Sequence, residues 1–145
     1  LTSFTHHPFG TYFPLEVPDN YFHDTFFNVP IDTLMYRIEQ SVRAGHPVCW
    51  EGDISEDGFS FANGVAELDN DAQQPAQAQR QEAFETYQTT DDHCMEIIGI
   101  AHNEKGYKYF ICKNSWGKNN PFGGFMYLSY NYVRLKTIAA YMVRV

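Results

Sequence analysis

Apolar residues recur with helical spacing over residues 30–44. Their stripe consists of four side chains on one face: Leu34, Met35, Ile38 and Val42. Pro30 suits the first turn, and either Asp32 or Asn28 is expected to cap the N-terminus. Gly45 is expected to end the helix. The pattern therefore predicts one main helix.

The other apolar runs are short, rich in aromatic and β-branched residues and bounded by turn residues, as is typical of strands. Predicted strands lie at 47–50, within 59–68, and at 95–101, 107–112, 125–130 and 137–145. Asn103–Gly106 is a turn that joins the third and fourth strands into a β-hairpin. Helical turns are expected at 80–86 and 132–136. One helix and five or six antiparallel strands predict a single α+β domain over residues 1–145 with a barrel-like sheet.

Two polar features stand apart from this pattern. Residues 69–81 are polar and low in complexity, which predicts a surface insertion or flexible loop. His6, His7 and His23 have neither a cysteine partner nor an i, i+4 pair. Local packing and hydrogen bonding are therefore expected for these histidines, and we expect no metal site and no cofactor.

The predicted hairpin brings a histidine and an asparagine together. His93 precedes its first strand and Asn114 follows its second, so the fold-back makes them neighbours. A thiol nucleophile needs an imidazole that accepts its proton and later donates a proton to the leaving amine. A neutral amide orients such a ring without adding charge. His93 and Asn114 are therefore the candidate catalytic residues.

The motifs around these two residues resemble those of papain-like cysteine peptidases. Two motifs carry the resemblance: Asp92-His93-Cys94-Met95 before Ile97-Ile98-Gly99, and Lys113-Asn114-Ser115-Trp116-Gly117. The resemblance implies that His93 is the general base and acid, that Asn114 orients its ring, and that Trp116 shields their hydrogen bond from water. It also implies that the chain is the C-terminal, His/Asn-bearing half of a papain-like fold.

Other segments are similar to the bleomycin hydrolase and aminopeptidase C branch of that superfamily, namely residues 5–9, 15–20, 28–35 and 53–56. This resemblance implies hydrolysis of peptide amides through an acyl-enzyme, with aminopeptidase-like specificity. In that branch, a segment close to Asp91 and Asp92 approaches the cleft. These two acids therefore either shape substrate binding or are solvated loop acids.

None of the three cysteines has the context of a nucleophile at a helix start. Cys94 follows His93 in a predicted strand, so it should face away from the imidazole. Buried packing is expected for Cys49, Cys94 and Cys112, while the resemblance makes Cys49, Trp50 and Cys94 candidates for the substrate pocket. The nucleophile is expected in an N-terminal half outside these residues, and the isolated chain is expected to be inactive.

Composition narrows the set of partners. A net charge of −8 and a pI near 5.1 argue against nucleic acid, because phosphate binding needs a basic face. No apolar run approaches the roughly 20 residues that span a bilayer. Three cysteines give no disulfide framework, although one pair remains open. The cytoplasm is favoured, and a periplasmic or secreted location would require removal of an upstream signal.

A non-catalytic binding or inhibitory module that keeps the same fold is the alternative function. The retained His93, Asn114 and Trp116 argue for the peptidase, because a buried unpaired polar group costs about 1–3 kcal/mol. A redox role for Cys49 or Cys94 is a third interpretation, and it rests on their presence alone.

Half of a papain-like fold should expose a large apolar face toward the missing half. We therefore expect the isolated chain to form an oligomer with a second copy or to retain a partner, in addition to binding a peptide substrate. Sedimentation velocity tests this expectation. A monomer without a bound fragment would contradict it.

Overall fold

The computed structural model describes residues 1–144, and Val145, the end of the predicted last strand, lies outside the described residues. The elements in chain order are β1 Tyr12–Pro14, β2 Thr25–Phe27, α1 Ile31–Arg43, β3 Val48–Gly52, β4 Phe59–Ser60, β5 Val65–Ala66, α2 Gln77–Glu85, β6 His93–His102, β7 Lys108–Lys113, β8 Phe125–Ser129, α3 Tyr130–Lys136 and β9 Thr137–Tyr141. Within residues 1–144, every helix is too short or too polar to cross a bilayer.

Seven strands form one curled sheet in the order β4-β5-β8-β7-β6-β3-β9. Neighbouring strands are antiparallel except for the parallel pair of β5 and β8. The short strands β1 and β2 pair in a separate two-stranded sheet. The predicted α+β class with a barrel-like sheet is confirmed. The strands that the sequence did not predict are two or three residues long, and such lengths leave no readable periodicity.

Helix α1 packs on the sheet through the predicted stripe, in which Leu34, Met35 and Ile38 are fully buried. The expected side-chain cap is absent among the described residues. Asp32 instead pairs with Arg134, and the Asn28 side chain binds the backbone of the N-terminal segment. The backbone N–H of Ile31 donates to Oε1 of Gln77 at 2.8 Å. The cap therefore comes from α2, 46 residues further along the chain.

A second, smaller core covers the other end of the sheet. Its buried side chains come from the lead-in segment and from β9: Phe4, Phe13, Leu15, Phe26, Ile138 and Ala139. The amino group of Leu1 donates to the Ala140 carbonyl at 2.8 Å, and the backbone N–H of Ala140 donates to the Leu1 carbonyl at 2.9 Å. The N-terminal segment is thus held against the last strand.

The prediction of a surface insertion at 69–81 is wrong for its last residues. Helix α2 begins at Gln77, and Arg80 and Gln81 are only 1% and 8% exposed. The Arg80 guanidinium donates to four backbone carbonyls: those of Ser3, Arg134, Leu135 and Thr137. A charged residue can be buried when acceptors replace its water, and here one side chain joins the N-terminal segment to α3 and β9.

Strand β8 is one residue shorter than predicted because Ser129 caps the next helix. The Ser129 hydroxyl accepts a hydrogen bond from the backbone N–H of Tyr132 at 3.0 Å. Strand β9 ends at Tyr141, so residues 142–144 of the predicted last strand are not paired as a strand.

Arg80→Ala should lower the free energy of unfolding by about 3 kcal/mol or more, because it leaves several buried carbonyls without a donor. Arg43→Ala is the matched control, since Arg43 is mostly exposed and forms an i, i+4 pair with Glu39. Its expected cost is about 0.5 kcal/mol or less. Urea unfolding followed by circular dichroism measures both values. Equal losses in the two variants would contradict the role of Arg80.

Candidate active site

Strand pairing brings His93 and Asn114 together. Strands β6 and β7 pair with Glu96 opposite Lys113, and β6 begins at His93 while Asn114 directly follows β7. The turn between the strands is closed by Asn103, whose Oδ1 accepts the backbone N–H groups of Lys105 and Tyr107. As a result, His93 Nε2 lies 3.0 Å from Asn114 Oδ1.

The Asn114 amide fixes the tautomer of the histidine. Asn114 is 5% exposed, and its Oδ1 accepts the backbone N–H of Ser115 at 2.8 Å. This oxygen is therefore an acceptor, and Nδ2 points to the Met126 sulfur at 3.7 Å. Nε2 of His93 must then carry the hydrogen. The lone pair remains on Nδ1, which makes no hydrogen bond within residues 1–144. The ring can accept a proton there.

Trp116 lies against the histidine ring, with ring centroids 4.8 Å apart and planes inclined at 45°. Phe61 and Phe59 meet Trp116 edge to face at 5.4 and 6.0 Å. Trp116 is itself 47% exposed. It therefore covers one side of the His93 ring and is partly exposed to solvent.

The loop after Asn114 is held in shape by Asn120. The Asn120 side chain accepts the backbone N–H groups of Phe122 and Gly124 and donates to the Phe125 carbonyl. Gly124 has a φ of +95°, and a Cβ there would lie 2.3 Å from the Gly117 carbonyl oxygen. Only glycine fits this approach, which closes the loop that follows Trp116.

Four carboxylates surround a cleft of about 310 Å³ next to the histidine. Its lining residues are Asp19, Glu51, Asp91, Asp92, His93, Cys94 and Ser115. A larger depression of about 430 Å³ lies near the hairpin turn and contains neither His93 nor Asn114. Because four acids converge on it, the smaller cleft is acidic and suits a cationic group.

Asp91 is the most perturbed of these acids. Burial, which is the largest cause, and the charges of Glu51, Asp19 and Asp92 together raise its pKa from 3.8 to about 7. Burial also raises the pKa of Glu51. Asp92 accepts the backbone N–H of Ile54 at 2.9 Å, which ties the start of β6 to the segment after β3. Asp91 is thus a half-buried cleft residue, whereas Asp92 is more exposed.

The cysteines and Trp50 depart from several expectations. Trp50 is fully buried and donates to the Thr137 hydroxyl at 2.7 Å, so it is a core residue and does not line the pocket. Cys49 and Cys94 are exposed rather than buried, and only Cys112 is in the core. Partial burial, the neighbouring Cys49 and the charges of Glu51 and Asp91 together raise the pKa of the Cys94 thiol to about 12. At neutral pH the Cys94 thiol is therefore mostly protonated.

His6 and His7 lie together, each with Nε2 2.7 Å from one carboxylate oxygen of Glu16. These donor types can hold zinc. However, the backbone N–H of Thr5 donates to Gln81 Oε1, which turns Gln81 Nε2 toward His6 Nδ1 at 3.1 Å. His6 Nδ1 is then an acceptor, and its Nε2 carries the hydrogen donated to Glu16. In this tautomer His6 offers Glu16 a hydrogen bond and has no lone pair for a metal at Nε2.

Sequence reasoning did not identify two of the cleft residues, Glu51 and Asp19. Glu51 follows Trp50 in β3 and shares a face with Cys49, so strand alternation contained the signal. Asp19 reaches the cleft from the irregular lead-in segment, where no periodicity indicates which side chains point inward.

The sequence model of the Peptidase C1-like family matches residues 3–140. The chain belongs to this family. No curated protein sequence matches the chain.

Solved structures show that this member of the Peptidase C1-like family has a papain-like fold. PepW from Lactobacillus rhamnosis HN001 superposes with a TM-score of 0.70 at 16% identity, over 94% of this chain and 32% of PepW. The proform of the Amb a 11 cysteine protease, a major ragweed pollen allergen, gives 0.50 at 21% identity, over 77% of this chain and 31% of the allergen. The chain thus spans about a third of each structure.

Asp91→Asn should stabilise the protein increasingly as pH rises from about 4 to 7. Because the pKa of Asp91 is raised in the folded protein, folding disfavours the ionised form of this residue. The free energy of unfolding is therefore highest below the ordinary pKa of 3.8 and decreases as the pH rises toward the folded pKa of about 7. Because Asp91 is only half-buried, we expect a gain of about 1 kcal/mol at pH 7. Urea unfolding across this range, with exposed Asp57→Asn as control, measures it. Parallel curves for Asp91→Asn and the unchanged protein would contradict the effect.

Proposed function

We propose that this chain supplies the catalytic histidine and asparagine of a cysteine peptidase, with the nucleophilic cysteine in a segment outside these residues. The observation that carries the proposal is the 3.0 Å contact between His93 Nε2 and Asn114 Oδ1. The Ser115 N–H fixes the amide orientation, so the ring carries its lone pair on Nδ1. That nitrogen suits a thiol that must lose a proton.

In the proposed reaction, His93 Nδ1 takes the proton of the cysteine thiol and forms a thiolate–imidazolium pair. The thiolate attacks the carbonyl carbon of the peptide. The imidazolium returns the proton to the leaving amine, which departs and leaves an acyl-enzyme. The neutral imidazole then deprotonates a water that hydrolyses the thioester. Asn114 accepts the Nε2 hydrogen throughout, so the ring keeps one orientation.

We further propose aminopeptidase-like specificity, as the resemblance to the bleomycin hydrolase and aminopeptidase C branch implies. The acidic cleft beside His93 supports this proposal, because Asp19, Glu51 and Asp91 favour a substrate with a positively charged amino terminus. The partners would be a peptide substrate and the segment that carries the nucleophile.

The test uses the intact protein that contains this chain and an epoxysuccinyl thiol-protease inhibitor. We expect one adduct, on a cysteine outside these residues. Asn114→Ala should slow labelling and lower kcat/KM about 10- to 100-fold, and His93→Ala should lower kcat/KM about 1,000-fold or more. The exposed neighbour Asn119→Ala is the control and should leave both rates unchanged.

An adduct on Cys49, Cys94 or Cys112 would show that the nucleophile has been assigned wrongly. Absence of labelling and of peptide hydrolysis in the intact protein would favour the non-catalytic binding module instead. Acetylation of the substrate's amino terminus tests the aminopeptidase specificity separately from the peptidase chemistry. An equal kcat/KM for acetylated and free peptides would reject aminopeptidase specificity and leave the peptidase chemistry intact.

A further inference from the structure

Two exposed cysteines touch each other on the strands that lead to the candidate site. The sulfur atoms of Cys49 in β3 and Cys94 in β6 lie 3.2 Å apart, although the residues are 45 positions apart in sequence. We propose that Cys49 and Cys94 form a reversible disulfide and are a modification site for low-molecular-weight disulfides. The proposal does not depend on peptidase activity.

Strand register puts the two sulfurs on one face of the sheet. Trp50 pairs with Met95, and both point into the core. Cys49 and Cys94 flank this pair diagonally on the outer face, with Cys49 opposite Glu96 and Cys94 opposite Glu51. A disulfide bond is about 2.05 Å long. The sulfurs therefore need to approach by only about 1 Å, which side-chain rotation and a small strand movement can supply.

The same geometry makes such a disulfide easy to reduce. Diagonal neighbours on antiparallel strands are further apart than directly opposite ones. A bond between them draws the strands together and carries strain, and strained, exposed disulfides are the labile ones. Cys112 is fully buried in the core, so small reagents reach the other two thiols first.

The reaction consumes one small disulfide and releases two small thiols. The Cys49 thiol loses a proton and attacks one sulfur of the reagent, which forms a mixed disulfide and expels the first thiolate. The Cys94 thiol then loses its proton and attacks Cys49 Sγ, which forms the internal disulfide and expels the second thiolate. The two protons end on the released thiols. Cys49 acts first because partial burial and the nearby acids oppose formation of the Cys94 thiolate.

Charge indicates which reagents fit this site. Glu51, Asp91 and Glu96 lie near the thiols, so a cationic disulfide is attracted and an anionic one is repelled. Cystamine, which carries two ammonium groups, is therefore the probe. The intact protein is first treated with the epoxysuccinyl inhibitor, so that any catalytic cysteine is blocked before oxidation.

Trypsin then places each cysteine in a different peptide: residues 44–80 for Cys49, 81–105 for Cys94 and 109–113 for Cys112. After brief treatment with cystamine, peptides 44–80 and 81–105 should appear cross-linked, with loss of two hydrogens, while Cys112 stays free. A mild thiol should restore both separate peptides. This mass-spectrometric pattern is the expected result.

Single variants provide the matched controls. Cys49→Ser and Cys94→Ser change exposed residues and leave one cysteine of the pair. Because no second thiol can expel the cysteamine, each variant should retain a cysteamine adduct on the remaining cysteine. This adduct should be about tenfold more abundant than any adduct on the unchanged protein. Cys112→Ala should still form the cross-link. Three outcomes would each overturn the proposal. The first is stable adducts on both Cys49 and Cys94 of the unchanged protein, and the second is a cross-link to Cys112. The third is that Cys49 and Cys94 of the unchanged protein stay free thiols at cystamine concentrations that modify the single variants.

Discussion

The pairing of β6 with β7 is the constraint on which the rest of the structure depends. These strands occupy the middle of the sheet, so β3 and β9 follow on one side and β8, β5 and β4 on the other. A shift of one residue would exchange inward and outward faces along the whole hairpin. It would expose Met95 and Ile97, now buried, and separate His93 from Asn114. The packing of the core and the hydrogen bond of the candidate site therefore select the same register.

The outer face of the same strands has a different chemistry. Inward positions of β3 and β6 carry Val48, Trp50, Met95 and Ile97, whereas the outward positions carry acids and thiols. Burial and the neighbouring like charges raise the pKa of Asp91, and the same two causes oppose formation of the Cys94 thiolate. The acidic surroundings thus do two things at once. They favour a cationic group beside His93, and they oppose formation of the Cys94 thiolate.

Sequence reasoning was most effective where the determining contacts are local. The helix stripe and the hairpin could be predicted because periodicity, the Asn103–Gly106 turn and the two motifs are all short-range signals. A helical turn was predicted at 80–86, but the start of α2 at Gln77 and the burial of Arg80 were missed. Composition alone marks residues 69–81 as polar, while carbonyl acceptors far away in sequence decide that Arg80 is buried. The contact of Cys49 with Cys94 also depends on long-range information, since strand twist determines which diagonal pair is close.

The orientation of Asn114 has a consequence for assembly. Its amide is held by the N–H of the next residue and by Met126, so both restraints come from this chain. The histidine tautomer is therefore set before any other segment arrives. A docking partner would meet a rigid acceptor at Nδ1 and would spend little binding free energy on ordering it. In the proposed peptidase, recognition of a partner segment and organisation of the base would be separate thermodynamic steps, so surface changes would weaken the first without altering the second.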